Sequence, residues 1–131
     1  MMTLLILVFS FQVASNDSES VDQLGLISVS AGDFTEKLKT YQPVLIDIRT
    51  PEEYAEGHLP NSLNMDFNSQ EFVSAIDQLD RESFYAIYCR SGRRSGRALE
   101  LMERKGFKNV IELSGGINAW RTNDATHDRG R

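Results

Sequence analysis

Two five-residue stretches, Val44-Leu45-Ile46-Asp47-Ile48 and Phe84-Tyr85-Ala86-Ile87-Tyr88, are apolar at nearly every position. A strand with one wet face alternates apolar with polar residues. A strand apolar on both faces must be covered on both, which points to a parallel sheet sandwiched between helices. The flanking segments fit that demand. Leu26 to Val29 reads as a further strand. Ser30 then caps a helix, with Asp33 in the place of a capping-box acid and Val29 with Phe34 as its staple. Phe34 and Leu38 share one face of that helix, and Pro43 ends it.

Thr50 opens the next helix, with Pro51 at its first position and Glu52 and Glu53 in its first turn. Ser62 to Met65 is a short strand. Asn68 and Glu71 form a capping box with Phe67 and Phe72 as staple, and Phe72, Val73, Ile76 and Leu79 make the buried face. Ala98, Leu99 and Met102 mark a helix that Gly106 closes in the left-handed conformation, with Phe107 folded back. Asn109 to Leu113 is the last strand, and Ser114 opens one final helical turn carrying Ile117 and Trp120. This rhythm predicts an α/β domain with a mainly parallel sheet of about five strands and helices on both faces.

The ends read differently. Leu4 to Val13 is mostly apolar, long enough for a signal h-region and too short to span a bilayer, and Val13-Ala14-Ser15 supplies small residues for cleavage. No Lys or Arg precedes it, and the competing reading is a buried strand. Residues 1–15 are therefore expected to be a cleaved signal peptide, 16–25 a linker, 26–121 the domain, and 122–131 a polar, frayed tail. A cleaved signal implies a periplasmic or secreted protein; otherwise it is cytoplasmic. At 131 residues and 40% hydrophobic composition, the chain holds one core. Its net charge of −5 argues against nucleic-acid binding. A single cysteine, Cys89, excludes an intrachain disulfide and a cysteine-cluster zinc site.

That cysteine sits where ligands bind in open parallel sheets, just beyond the carboxyl end of a strand. It opens the loop Cys89-Arg90-Ser91-Gly92-Arg93-Arg94-Ser95, which leads into a helix N-terminus suited to anions. Arg90, Arg93, Arg94 and Arg97 reverse the acidic balance there. Helix N-termini and nearby cations lower a cysteine pKa to roughly 3.5–7.5, so Cys89 is expected to be a thiolate nucleophile. The bland alternative is a buried small hydrophobe beside a solvated basic face.

Three segments resemble the rhodaneses, the thiosulfate sulfurtransferases, of single-domain type. The loop Tyr88 to Ser95 is similar to their active-site loop. Asp47 to Tyr54 followed by Gly57 to Asn64 is similar to their first signature. Gly106 to Val110 followed by Leu113 to Trp120 is similar to their closing one. Three motifs in order are far more specific than one. The resemblance implies a three-layer rhodanese-like fold, with Arg90, Ser91, Gly92, Arg93, Arg94 and Ser95 forming the substrate-binding loop around catalytic Cys89. It implies a persulfide on Cys89, drawn from a small anionic thiosulfate-like donor and passed to cyanide or a thiol. No metal or organic cofactor, no nucleic acid and no stable membrane insertion is implied.

Asp47 and Arg49 look like an ion pair bracing the loop. His58 is read as a turn residue, Gly115 and Gly116 as points of close backbone approach, and Trp120 as core. A phosphatase or arsenate reductase is disfavoured because Ser95, not arginine, stands six residues after Cys89, and the Cys89–Arg94 loop has only six members. A persulfide relay to a protein partner and a silent binding module are the other readings; the retained cysteine argues against the second.

Overall fold

The computed structural model describes residues 24–129. The expected signal peptide and nearly all of the expected linker lie outside the described residues. The strands are β1 (Gly25–Val29), β2 (Val44–Asp47), β3 (Leu63–Asn64), β4 (Phe84–Tyr88) and β5 (Asn109–Leu113). They form one sheet in the order β1-β5-β4-β2-β3, parallel at every pairing. The helices are α1 (Ala31–Tyr41), α2 (Pro51–Ala55), α3 (Phe72–Asp77), α4 (Arg93–Arg104) and α5 (Gly116–Arg129). The α/β three-layer expectation holds.

Why β4 is apolar throughout is clear from its place in the sheet. Phe84, Ala86 and Tyr88 pack with Phe34 of α1 and Ile117 of α5. Tyr85, Ile87 and the following Cys89 pack with Phe72 and Ile76 of α3 and Ala98 and Met102 of α4. The period of two thus aims Cys89 at the face that α4 covers. Each fully buried side chain of this size contributes about 1.5–3 kcal/mol, so two-sided packing outweighs any single helix cap.

The caps nevertheless set where helices begin and end. Ser30 Oγ accepts from Asp33 N–H at 3.3 Å, and Gln42, left-handed at φ 46°, stops α1 before Pro43. Thr50 and Glu53 close a full capping box on α2, with Pro51 at its first turn. At the end of α4, Gly106 has φ 83°; its N–H reaches Glu103 O, and Phe107 N–H reaches Met102 O at 3.1 Å. Those two bonds are the Schellman pattern.

Three local expectations fail. Val73, expected on the buried face of α3, stands exposed while Phe72 and Ile76 are buried. Asn68 does not cap α3, which starts later at Phe72 with no side-chain cap on Glu71. Asp66 captures Asn68 N–H at 2.9 Å, and Ser69 bonds both the backbone and the carboxylate of Glu71, so the capping acid is already engaged. The staple contact survives, with Phe67 and Phe72 rings edge-on at 5.1 Å. The polar tail is not a loop either: α5 runs on through it to Arg129. No Gly or Pro interrupts Ile117 to Arg129, so the backbone ladder continues without an apolar face to demand it.

Candidate active site

Cys89 follows the last residue of β4 and is 1% exposed. Its loop is shaped from below by the turn between β5 and α5. Ile117 N–H reaches Cys89 O at 2.9 Å, and Asn118 N–H reaches Arg90 O at 3.2 Å. The start of α5 therefore holds the loop's carbonyls and leaves its amides for the interior. Gly116 makes this possible: a Cβ there would stand 2.4 Å from the Arg90 carbonyl carbon and 2.6 Å from Cys89 O. The close approach expected at this Gly is present.

On the inner side, Gly92 N–H donates to Cys89 Sγ at 3.2 Å and Ser95 N–H at 3.4 Å, while Ser95 Oγ lies 3.3 Å away. Gly92, left-handed at φ 95°, is the N-cap of α4, so the sulfur sits over that helix's N-terminus. Burial opposes ionisation of the thiol. The Ser95 hydroxyl and the amides of Ser95, Gly92 and Ser91 outweigh it, and the thiol pKa falls below its ordinary 9.0. The hydroxyl and amides are not the environment of an inert buried cysteine.

The arginines divide into two kinds. Arg90 and Arg93 are exposed on the loop and free to meet an incoming anion, as is Arg97 one turn along α4. Arg94 is instead committed, with Nη1 and Nη2 at 2.8 and 2.9 Å from the two oxygens of Glu53. Arg94 holds the Glu53 carboxyl down at about 2. Glu53, which the sequence offered only as a first-turn acid, thus caps α2 and ties it to the Cys89 loop.

Asp47 and Arg49 meet as expected. Arg49 Nη2 lies 2.7 Å from Asp47 Oδ2, both fully or almost fully buried, and also donates to Gly57 O at 2.6 Å. The guanidinium stands 5.8 Å from the Tyr88 ring, beside Cys89 in the chain. This pair ties the end of β2 to the turn after α2. Removing one partner of such a pair costs about 3–5 kcal/mol, because it strands a buried charge. His58 stacks on Tyr54 at 3.7 Å with Nδ1 2.8 Å from Tyr54 O, an exposed turn residue. Trp120 is half-buried against the core face of α1.

Sequence reasoning missed Glu112 altogether. It is 3% exposed on β5, and Ser95 Oγ donates to its Oε1 at 2.5 Å while Ser28 Oγ on β1 donates to Oε2. A lone acid inside the apolar run Asn109-Val110-Ile111-Glu112-Leu113 was the available signal. A groove of about 510 Å³ on the other face is lined by Leu38, Leu45, Leu59 and Trp120 together with Thr35 and Lys39, and Cys89 is not among its walls. Among the described residues no cluster of His, Cys, Asp and Glu could hold a metal ion, and no helix is long and apolar enough to cross a membrane.

A sulfur over a helix N-terminus, ringed by inward amides at the end of a central parallel strand, now meets the family comparison. The Rhodanese-like domain model matches residues 30–123. The chain belongs to the rhodanese family. A thiosulfate:glutathione sulfurtransferase of Saccharomyces cerevisiae is 30% identical, across 79% of this chain and 84% of that protein. The thiosulfate sulfurtransferase GlpE of Stutzerimonas stutzeri is 35% identical, across 65% of this chain and 79% of that one. Against the adenylyltransferase and sulfurtransferase uba4 of Ogataea parapolymorpha, this rhodanese spans only 20% of the protein's length. Among solved structures, a rhodanese-related protein of Thermoplasma volcanium superposes with a TM-score of 0.64 at 31% identity, covering 73% of this chain and 91% of that one. These relatives support sulfur transfer as the class of activity.

Proposed function

We propose that this rhodanese transfers the sulfane sulfur of thiosulfate, through a persulfide on Cys89, to cyanide or a thiol. The observation that carries the reading is the Cys89 sulfur held by the Gly92 and Ser95 amides at a helix N-terminus. The thiolate attacks the outer sulfur of thiosulfate, forming a new S–S bond. The bond to the sulfonate sulfur breaks, and sulfite leaves with its electron pair. The terminal persulfide sulfur carries the negative charge toward the loop amides, which stabilise it as an oxyanion hole stabilises oxygen. Cyanide or a thiolate then takes that sulfur, and Cys89 departs as the thiolate it began as. Exposed Arg90 and Arg93 raise the local concentration of the dianion in a protein that is otherwise acidic.

Mass spectrometry of the protein mixed with thiosulfate tests this directly. An adduct of about 32 Da on Cys89, released by cyanide as thiocyanate, is the expected result. Absence of the adduct, together with faster turnover of an aryl phosphate than of thiosulfate, would move the chain to another chemistry. The export signal expected at residues 1–15 is part of the same proposal and is checked by the N-terminus of the mature protein.

A further inference from the structure

Ser95 has one hydroxyl hydrogen, and that hydrogen points at Glu112 Oε1, 2.5 Å away. Toward Cys89, 3.3 Å on its other side, the Ser95 oxygen has only a lone pair to offer while that bond stands. Until the Ser95 hydrogen turns to the sulfur, where it favours the thiolate, the sulfur must keep its own proton to complete the contact. Cys89, Ser95 and Glu112 thus form a single chain of groups with one proton too few for all of them. Glu112 is nearly inaccessible to water and, among the described residues, has no cation within ion-pair distance. Among the described residues its hydrogen-bond partners are the hydroxyls of Ser28 and Ser95. A buried carboxylate without a cation is held only by the hydrogen bonds it accepts.

We infer that Glu112 is a positioning residue that takes the Cys89 proton through Ser95. Two hydrogens shift in concert. The Cys89 S–H bond breaks as its hydrogen passes to Ser95 Oγ, and the Ser95 hydrogen passes to Glu112 Oε1. The outcome is a Cys89 thiolate accepting from the Ser95 hydroxyl, which now accepts from a neutral Glu112. Net charge is unchanged, and no proton has to reach solvent from a buried site. Ser28 holds the second carboxylate oxygen throughout. The inference rests on the persulfide reading only for its purpose, since it explains how a buried thiol becomes a nucleophile before each round.

The charged groups on the neighbouring elements are paired or exposed, which leaves Glu112 as the unpaired carboxylate on the Cys89 side of β5. β1 and the Ser114-Gly115 turn carry no ionisable side chain. From α4 the nearest charge is Arg94, neutralised by Glu53 of α2, whose carboxyl stays ionised down to about 2. Arg93 and Arg97 are exposed on α4, and Arg90 on the loop. β2 contributes the Asp47–Arg49 pair, and β4 contributes Tyr88, pushed up to about 12 mainly by burial. Guanidinium groups keep their charge across the working range.

Because Cys89 is the only cysteine, the rate of alkylation by iodoacetamide against pH reads this one thiol. Two groups sharing a proton titrate as a pair. In the wild-type chain the rate is expected to rise in two separate steps, because the thiolate fraction grows with each proton the pair gives up. Glu112→Gln, whose amide donates permanently to Ser95, is expected to leave a single step on the acidic side. Ser95→Ala cuts the chain, leaving a single step at higher pH, with the neutral-pH rate falling roughly tenfold per unit of rise. Ser95→Thr restores the two steps. A single step in the wild-type chain overturns the relay, as does a two-step curve that survives Glu112→Gln. If Glu112→Gln does not fold, the Ser95→Ala and Ser95→Thr pair decides alone. A two-step curve in a protein that takes no sulfur from thiosulfate keeps the relay and overturns the persulfide reading. A one-step curve in a protein that takes sulfur does the reverse.

Discussion

Two carboxylates flank the Cys89 loop, and they are held in opposite ways. Glu53 faces a guanidinium with two bonds of near-ideal length and is a quarter exposed. Glu112 is buried and faces only hydroxyls. A carboxylate gripped by arginine is a fixed anion, because protonating it must break the pair. One gripped by hydroxyls can exchange a proton with no loss of partners, since a hydroxyl can donate or accept. One wall of the loop is therefore architecture and the other is available to chemistry. Ser95 stands between the sulfur and the second wall.

The comparison is broken most severely at the sulfur itself. Cys89→Ser keeps the size and the contacts with Gly92 and Ser95 but forms no persulfide, so sulfur transfer should vanish while the thermal unfolding midpoint barely moves. Retained turnover in a folded Cys89→Ser chain would place the chemistry elsewhere. The same variant replaces the sulfur beside Ser95 and leaves the Glu53–Arg94 pair untouched.

Next in size is Glu53→Gln, which attacks the architectural wall alone. The Glu53 carboxyl sits at about 2 against an ordinary 4.5. Its folded pKa is depressed, so its contribution is present above about pH 4.5 and lost as pH falls toward 2. Replacement should cost ~1 kcal/mol at neutral pH, the upper end for a partly exposed pair. It should also flatten the decline of stability across that acid window. Denaturant melts of both proteins at neutral pH and at several acid values measure this. An unchanged acid profile would show that Glu53 and Arg94 do not hold each other in solution.

What the sequence made legible follows from distance along the chain. The loop, the capping box at Thr50 and the Schellman end at Gly106 are local, each spelled out within a few residues. The Asp47–Arg49 pair lies two residues apart in a single strand end and was visible for the same reason. Glu53 meets Arg94 from 41 residues away, Ser95 meets Glu112 from 17, and Ser28 meets Glu112 from 84. Such contacts depend on the strand order β1-β5-β4, which alternation of apolar runs does not encode. That order sets Ser28 directly opposite Glu112 in register. The extension of α5 is illegible for another reason: its outer half has no apolar stripe to give a helical period.

The smallest effects belong to the exposed arginines, and they sharpen the distinction between a held charge and a free one. Arg90 and Arg93 have no carboxylate partner among the described residues and stand on the solvent side of the loop. Arg90→Gln and Arg93→Gln should each raise KM for thiosulfate about two- to fivefold at low salt, with kcat nearly unchanged. Because the attraction is Coulombic and wet, the difference from wild type should shrink as ionic strength rises. The Gly92 and Ser95 amides are fixed inside the loop and are screened far less, so the chemical step keeps its rate. Arg94→Gln should behave otherwise. Its charge is already spent on Glu53, so it should resemble Glu53→Gln in stability and show little salt-dependent change in KM. Steady-state kinetics of the three variants at low and high salt separate these roles. If Arg94→Gln tracks Arg90→Gln and Arg93→Gln in both KM and salt slope, the guanidinium serves the substrate despite its pairing, and the line between the two walls moves to include it.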